Sequence, residues 1–217
     1  MKCWALSRLL GVETLITMDK TKSLHRISGI IIAIFAAAHL FNHAMAWYGI
    51  DNHREIMEAL RKIYRQPVVE TGLLLCFGFQ VYSGIKQAMT LRKAPHLSLN
   101  DRLQMYAGLA FAFFIVQHIG AVVGQRLYFG TNTDFYFAAR VVLEAPFKYY
   151  FVPYYFLGIL ALGIHVAATH RTKIAGMVGE KQATFHGLVI TALAFFTAIL
   201  ILYVFMGGRY AIIIPKV

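Results

Sequence analysis

The chain carries nine histidines, and four of them, His39, His43, His118 and His165, fall inside long apolar runs. An imidazole in hydrocarbon is costly unless it has a partner, so each of these asks for a hydrogen bond, a ligand or a proton to handle. His39 and His118 stand out because their surroundings repeat. Gly29, Ala33, Phe35 and His39 align position for position with Gly108, Ala112, Phe114 and His118. On helices rising about 1.5 Å per residue, the two histidines lie roughly 18 and 22 Å from the surface where their helices begin, in the far half of a hydrocarbon core ~30 Å thick. Two neutral imidazoles at one level, on helices running the same way, can take a flat porphyrin between them, which is bis-histidine ligation of haem b. The plainer alternative is a polar pair hydrogen-bonded to backbone inside a bundle. His43, one turn beyond His39 on the same face, is the alternative ligand.

The elements that must position these residues are membrane helices. Of 217 residues, 59% are hydrophobic and 14% charged, with mean hydropathy +0.59. A soluble domain carries far more charge. The apolar residues gather in five stretches, approximately 27–48, 67–88, 103–125, 150–170 and 186–207, each long enough for the ~20 residues that cross a bilayer. No segment shows the alternation of a membrane strand. The expectation is an all-α membrane protein with five transmembrane helices in a single domain over 1–217. Arg8, Glu13, Asp19 and Lys20 interrupt the first apolar stretch, so it does not read as a cleavable signal. Cys3 and Cys76 form no disulfide framework and no CxxCH for covalent haem.

A net charge of +11 suggests nucleic acid in a soluble protein. Here the Lys and Arg sit in loops and at helix ends, where anionic lipid accounts for them and no nucleic acid partner is expected. Twelve of the 21 fall on the side of the N-terminus and nine on the other. That bias places the N-terminus in the cytoplasm and the C-terminus outside. Trp47, Tyr48, Tyr64, Tyr128, Tyr149, Tyr150, Tyr154 and Tyr203 crowd the outer interface.

Helices 2 and 4 run back inward, and helix 4 carries His165 in its inner half. At the matching depth helix 2 has Gln80, whose amide is a poor iron ligand beside an imidazole. One haem is therefore expected, with a second in doubt. Gly84, one turn after Gln80, leaves room for a flat ring, so the region of His165, Gln80 and Gly84 can serve a second haem or a quinone. His25, His53, His96, His170 and His186 lie at helix ends or in loops and read as interfacial side chains.

Ser23-Leu24-His25-Arg26-Ile27-Ser28-Gly29 resembles the S-x-x-H-R-x-S/T-G signature of succinate dehydrogenase and fumarate reductase cytochrome b membrane subunits, with Lys22 where the motif has its first serine. Gln80-Val81-Tyr82-Ser83-Gly84-Ile85-Lys86 is similar to that family's H-x-x-x-G-I-R/K haem segment, Gln standing for the ligand. The likeness covers roughly residues 20–170. It implies a haem-binding four-helix bundle plus a fifth helix, in which helices 1 and 3 supply one ligand pair and helices 2 and 4 the other. It also implies a membrane anchor in the cytoplasmic membrane that passes electrons between flavoprotein and iron–sulfur subunits and quinone. The dicarboxylate chemistry then belongs to a partner, since this chain has no flavin or iron–sulfur motif. His39 and His118 become the outer haem's ligands. His25, Arg26 and Ser28 become quinone-binding candidates, and Glu70, near the outer end of helix 2, becomes a candidate proton acceptor or else an interfacial carboxylate. Two other readings stand beside this one. The first is a haem b electron-transfer subunit of another dehydrogenase, or a stand-alone quinone-reactive cytochrome. The second, a haem-free transporter, is disfavoured because no Gly/Pro-broken helix pair marks a substrate site.

Overall fold

Among the described residues the protein is all-α, with five helices long and apolar enough to span a membrane. In the computed structural model the backbone is described for residues 2–215 and the side chains for 20–215, so Cys3, Arg8, Glu13, Asp19 and Val217 lie outside the described side chains. The spans are Lys20–Tyr48, Pro67–Leu91, Leu99–Phe129, Lys148–Val178 and Glu180–Phe205. In chain order the helices are α1 (Lys2–Met45), α2 (Ile50–Tyr64), α3 (Pro67–Leu91), α4 (Leu99–Phe129), α5 (Phe135–Leu143), α6 (Lys148–Val178) and α7 (Glu180–Phe205). Large side chains such as Ile34, Leu75, Phe113 and Leu193 point outward. An apolar exterior of this kind needs lipid around it.

The spans exceed the apolar runs because polar residues continue the helices past the hydrocarbon. Pro67 opens α3 at a position where its missing N–H costs nothing. Ser98 and Asp101 form a capping box that starts α4 earlier than hydropathy does. Gly130, left-handed at φ 61°, ends it. Between the apolar runs that end at 170 and begin at 186, the connection is one residue, Gly179 at φ 83°, between two helices.

Neighbours around the bundle run α1, α3, α4, α6, α7 and back to α1. Among the described residues, no Cα of α1 comes within 8 Å of a Cα of α4 or α6. The backbones of α1 and α4 therefore stand apart across the interior, and only side chains bridge them.

Two short helices were not expected from the apolar runs. α2 buries His53, Met57 and Arg61, one residue per turn of a single stripe, with Asp51 in its first turn and Arg61 and Lys62 in its last. α5 starts where the Asp134 carboxylate accepts the N–H groups of Tyr136 and Phe137, and it buries Phe135, Ala139 and Val142. Both sit at the end of the bundle where α1 finishes and α3 begins, here the C-terminal face. A buried apolar cluster is there too, where Ala46, Phe135, Ala139 and Val142 pack with Ile159, Ala198, Ile201, Leu202, Val204 and Phe205.

Candidate functional site

The sequence repeat is also a structural one. Phe35 stacks on His39 with ring centroids 5.8 Å apart and planes at 14°, and Phe114 stacks on His118 at 5.4 Å and 13°. The alignment of α1 with α4 thus carries through to side-chain geometry. The imidazoles of His39 and His118 then meet across the interior, 6.0 Å between centroids and 70° between planes. They reach each other although their helices do not touch. The Tyr154 hydroxyl donates to the Phe114 carbonyl at 2.8 Å, tying α6 to the turn that carries His118, and Tyr155 sets its edge against the His118 ring at 6.2 Å.

The partners of the two imidazoles differ. His118 enters no hydrogen bond among the described residues, and neither ring nitrogen is sealed from access. An imidazole at membrane depth without a polar partner is an unmet demand. His39 Nε2 lies 3.2 Å from His43 Nε2, and His43 Nδ1 lies 3.2 Å from His53 Nε2. Asn42 Nδ2 donates to His53 Nε2 at 3.3 Å. With both nitrogens facing other imidazoles, His43 is the most committed of the row, while His39 would exchange one contact to coordinate through Nε2.

His53 is the residue sequence reading missed. The sequence reads it as an interfacial side chain at a helix end or in a loop, yet it is 1% exposed, on α2, against Phe135 and Phe205. Burial foremost, with His39 and Arg61 adding to it, lowers it from 6.5 to about 4, so it is neutral at ordinary pH. The stripe His53, Met57, Arg61 was the signal available in the sequence.

The other end of the bundle is a closed polar seam. The Gln80 amide donates to the His25 carbonyl and, at 2.9 Å, to Ser28 Oγ, which itself donates to the Leu24 carbonyl at 2.8 Å. Ser83 is fully buried and donates to the Phe79 carbonyl at 2.5 Å, so its oxygen accepts from His25 Nδ1 at 2.7 Å. Gln80 also fills the space beside Gly29, where a Cβ would meet its Nε2 at 3.1 Å. The repeat recurs here: a Cβ on Gly108, the partner of Gly29, would meet His165 Nδ1 at 2.8 Å. His165 Nδ1 donates to the Gln104 carbonyl at 2.9 Å, leaving Nε2 with its lone pair. Gly84 lies against His25, a Cβ there meeting its Cε1 at 3.5 Å. Of the second-site residues Gln80, Gly84 and His165 and the quinone candidates His25, Arg26 and Ser28, the structure brings His25, Ser28, Gln80 and Gly84 together, with Gln80 Nε2, Ser28 Oγ and His25 Nδ1 spent on hydrogen bonds within the chain and His25 Nε2 left as an acceptor. Arg26 is exposed, with no ion pair or hydrogen bond among the described residues. Glu70 lies at the C-terminal face, its Oε1 accepting from Arg126 Nη2 at 2.6 Å.

Two open clefts, about 640 and 360 Å³, run along the outer surface of α2 and along α3 from Tyr82 to Thr90 and on to Lys93. Neither borders the histidine pair. Among the described residues, no three His, Cys, Asp or Glu side chains are disposed to hold a metal ion by themselves. Comparison with known proteins yields no match, whether to a family model, to a curated protein or to a solved structure.

Proposed function

We propose that this chain is a haem b membrane subunit of a succinate:quinone or fumarate:quinone oxidoreductase. His39 and His118 would hold the iron, and the haem would supply electron exchange with quinone. The observation that carries the reading is His118: an imidazole at membrane depth, without a hydrogen bond, facing a second imidazole from a helix whose backbone stands apart. Paired imidazoles on separated helices are what axial ligation of a flat ring asks for, so the residues fit that group. A haem b held there supplies one-electron transfer inside the membrane. Phe35 and Phe114 fix the planes of the two rings from one turn away, and Tyr154 fixes the turn that carries His118.

Quinone binds at the N-terminal end, where exposed Arg26 offers a free guanidinium and His25 Nε2 an acceptor. That face is cytoplasmic in this reading and receives the flavoprotein and iron–sulfur subunits, where the dicarboxylate reaction runs. Gln80 favours a second reading, a haem b subunit of another dehydrogenase or a stand-alone quinone-reactive cytochrome. In this one respect the chain departs from the family's second ligand pair.

A reduced-minus-oxidised spectrum of the purified chain, with haem extracted and counted per polypeptide, tests the proposal. One low-spin haem b per chain is expected, and its absence refutes the reading. Co-purification of a covalent-flavin subunit separates the two partner assignments. For orientation, a reporter inserted at Gly179 reads cytoplasmic and one at the C-terminus reads external. The reverse result exchanges the two faces and leaves the ligand pair in place.

A further inference from the structure

Outside the histidine row, two unpartnered polar groups lie side by side. Six side-chain polar atoms among the described residues are sealed and lack a partner, and two of them are Arg61 Nε, on the inward stripe of α2, and Arg65 Nε, one turn on at the residue that caps the helix. Arg61 is 7% exposed. Its Nη1 donates to Glu58 at 2.8 Å and to Asn132 at 3.2 Å, and its Nη2 to the Thr133 carbonyl at 3.0 Å. The Thr133 hydroxyl accepts from Arg65 Nη2 at 3.2 Å, so a single residue of the α4–α5 connection carries both guanidinium groups. Glu58 pairs with Arg61 and Glu70 with Arg126, but no carboxylate among the described residues lies within 4.0 Å of Arg65. Arg65 is half-buried. Burial first, then the nearby charges of Arg61 and Arg126, hold its guanidinium below the usual value. Three cations therefore share two carboxylates, and two N–H groups point at nothing. A guanidinium fork matches the oxygens of a carboxylate or phosphate, and a buried donor left unmet is expensive.

The place of this cluster says what the anion is attached to. Tyr64 adjoins Arg65 and sets its ring 5.5 Å from Phe35, which stacks on His39. Arg126 stands two turns beyond His118 on α4. The cluster thus borders the interior between α1 and α4 at its C-terminal end.

We propose that Arg61 and Arg65, with Arg126 beside them, bind the anionic head of an amphiphile whose apolar body lies in that interior. Two sources share this chemistry: the headgroup of an anionic phospholipid, and the carboxylate arms of the porphyrin proposed above. Only the second rests on the haem reading.

The experiment compares the parent with Arg65→Gln and with Arg54→Gln, an equal change of charge on the exposed surface of α2. In the first arm, chain from a haem-deficient host is reconstituted with phosphatidylcholine containing a minor fraction of phosphatidylglycerol, and retained phosphatidylglycerol is counted by native mass spectrometry. In the second, haem transfer from the loaded chain to a soluble acceptor gives the dissociation rate. The site predicts that R65Q loses retained lipid or sheds haem roughly tenfold faster, with an unchanged melting temperature and with R54Q like the parent. The arm that moves names the source. If no haem binds to the parent, the haem reading fails alone and the lipid arm still decides the site. Parent-like behaviour of R65Q in every arm available, or equal losses in R54Q, overturns the proposal.

Discussion

The two ends of the bundle are built on one repeat and yet differ in how their polar groups are met. At the N-terminal end Gln80 lies beside Gly29 and His165 beside Gly108, and His25, Ser28, Gln80, Ser83 and His165 are all hydrogen-bonded within the chain. At the C-terminal end the repeat sets Phe35 on His39 and Phe114 on His118, and there the demands go unmet. Among the described residues His118 has no hydrogen bond, and four of the six sealed orphan atoms, Asn42 Oδ1, His53 Nδ1, Arg61 Nε and Arg65 Nε, belong to that end. Gln87 Nε2 and Thr169 Oγ1 are the other two. A polar group that its own chain satisfies holds helices together, and one left unsatisfied inside apolar surroundings is a place for something else to bind.

The largest test of this contrast removes a histidine from each end. His118→Ala should abolish the haem b spectrum, whereas His165→Ala should keep it at one haem per chain. An unchanged spectrum in H118A sinks the ligand assignment, and a parental ratio near two sinks the difference between the ends.

Acid should loosen the C-terminal end through His53. His53 is lowered to about 4 in the folded protein from 6.5. Between those values the unfolded chain takes up a proton that the folded one does not. The contribution is therefore whole above pH 6.5 and shrinks as pH falls toward 4, a loss of about 2 kcal/mol near pH 5. Thermal unfolding of His53→Asn should lack that part of the pH slope, and equal slopes in variant and parent would count against it.

Arg26→Leu addresses the N-terminal end as a quinone site. Quinone reductase activity should fall roughly tenfold, the worth of one charge-assisted hydrogen bond, with the haem spectrum intact. Full activity leaves Arg26 as a side chain reaching for lipid phosphate. The smallest effect concerns the seam itself. Gln80→Ala removes two interhelical hydrogen bonds between α1 and α3 and should cost about 1 kcal/mol, read as a lower unfolding midpoint with haem content unchanged. Loss of haem in Q80A would mean that the two ends are not separate.

Much of this architecture was legible in the sequence. Five apolar runs give five spans, since hydrocarbon thickness sets helix length. The repeat around His39 and His118 brought those rings to one level because both helices run the same way. Helix ends were less legible, since capping at Ser98 and the lone turn residue Gly179 extend helices through polar stretches where hydropathy stops. α2 and α5 were hidden for a related reason: each is too short or too charged to resemble a span. Only an amphipathic stripe marks α2, and that stripe placed His53 and Arg61 inside. What the tertiary structure alone decided is who satisfies whom. Gln80 is a poor iron ligand on chemistry, but its work as a cross-tie to His25 and Ser28 depends on how α1 and α3 meet. That His118 has no hydrogen bond while His43 faces imidazoles on both sides likewise follows from the separation of α1 from α4 and the return of α2 over the bundle. Hydrophobic periodicity fixes which face of a helix turns inward, whereas hydrogen-bond satisfaction is a property of pairs that only packing brings together.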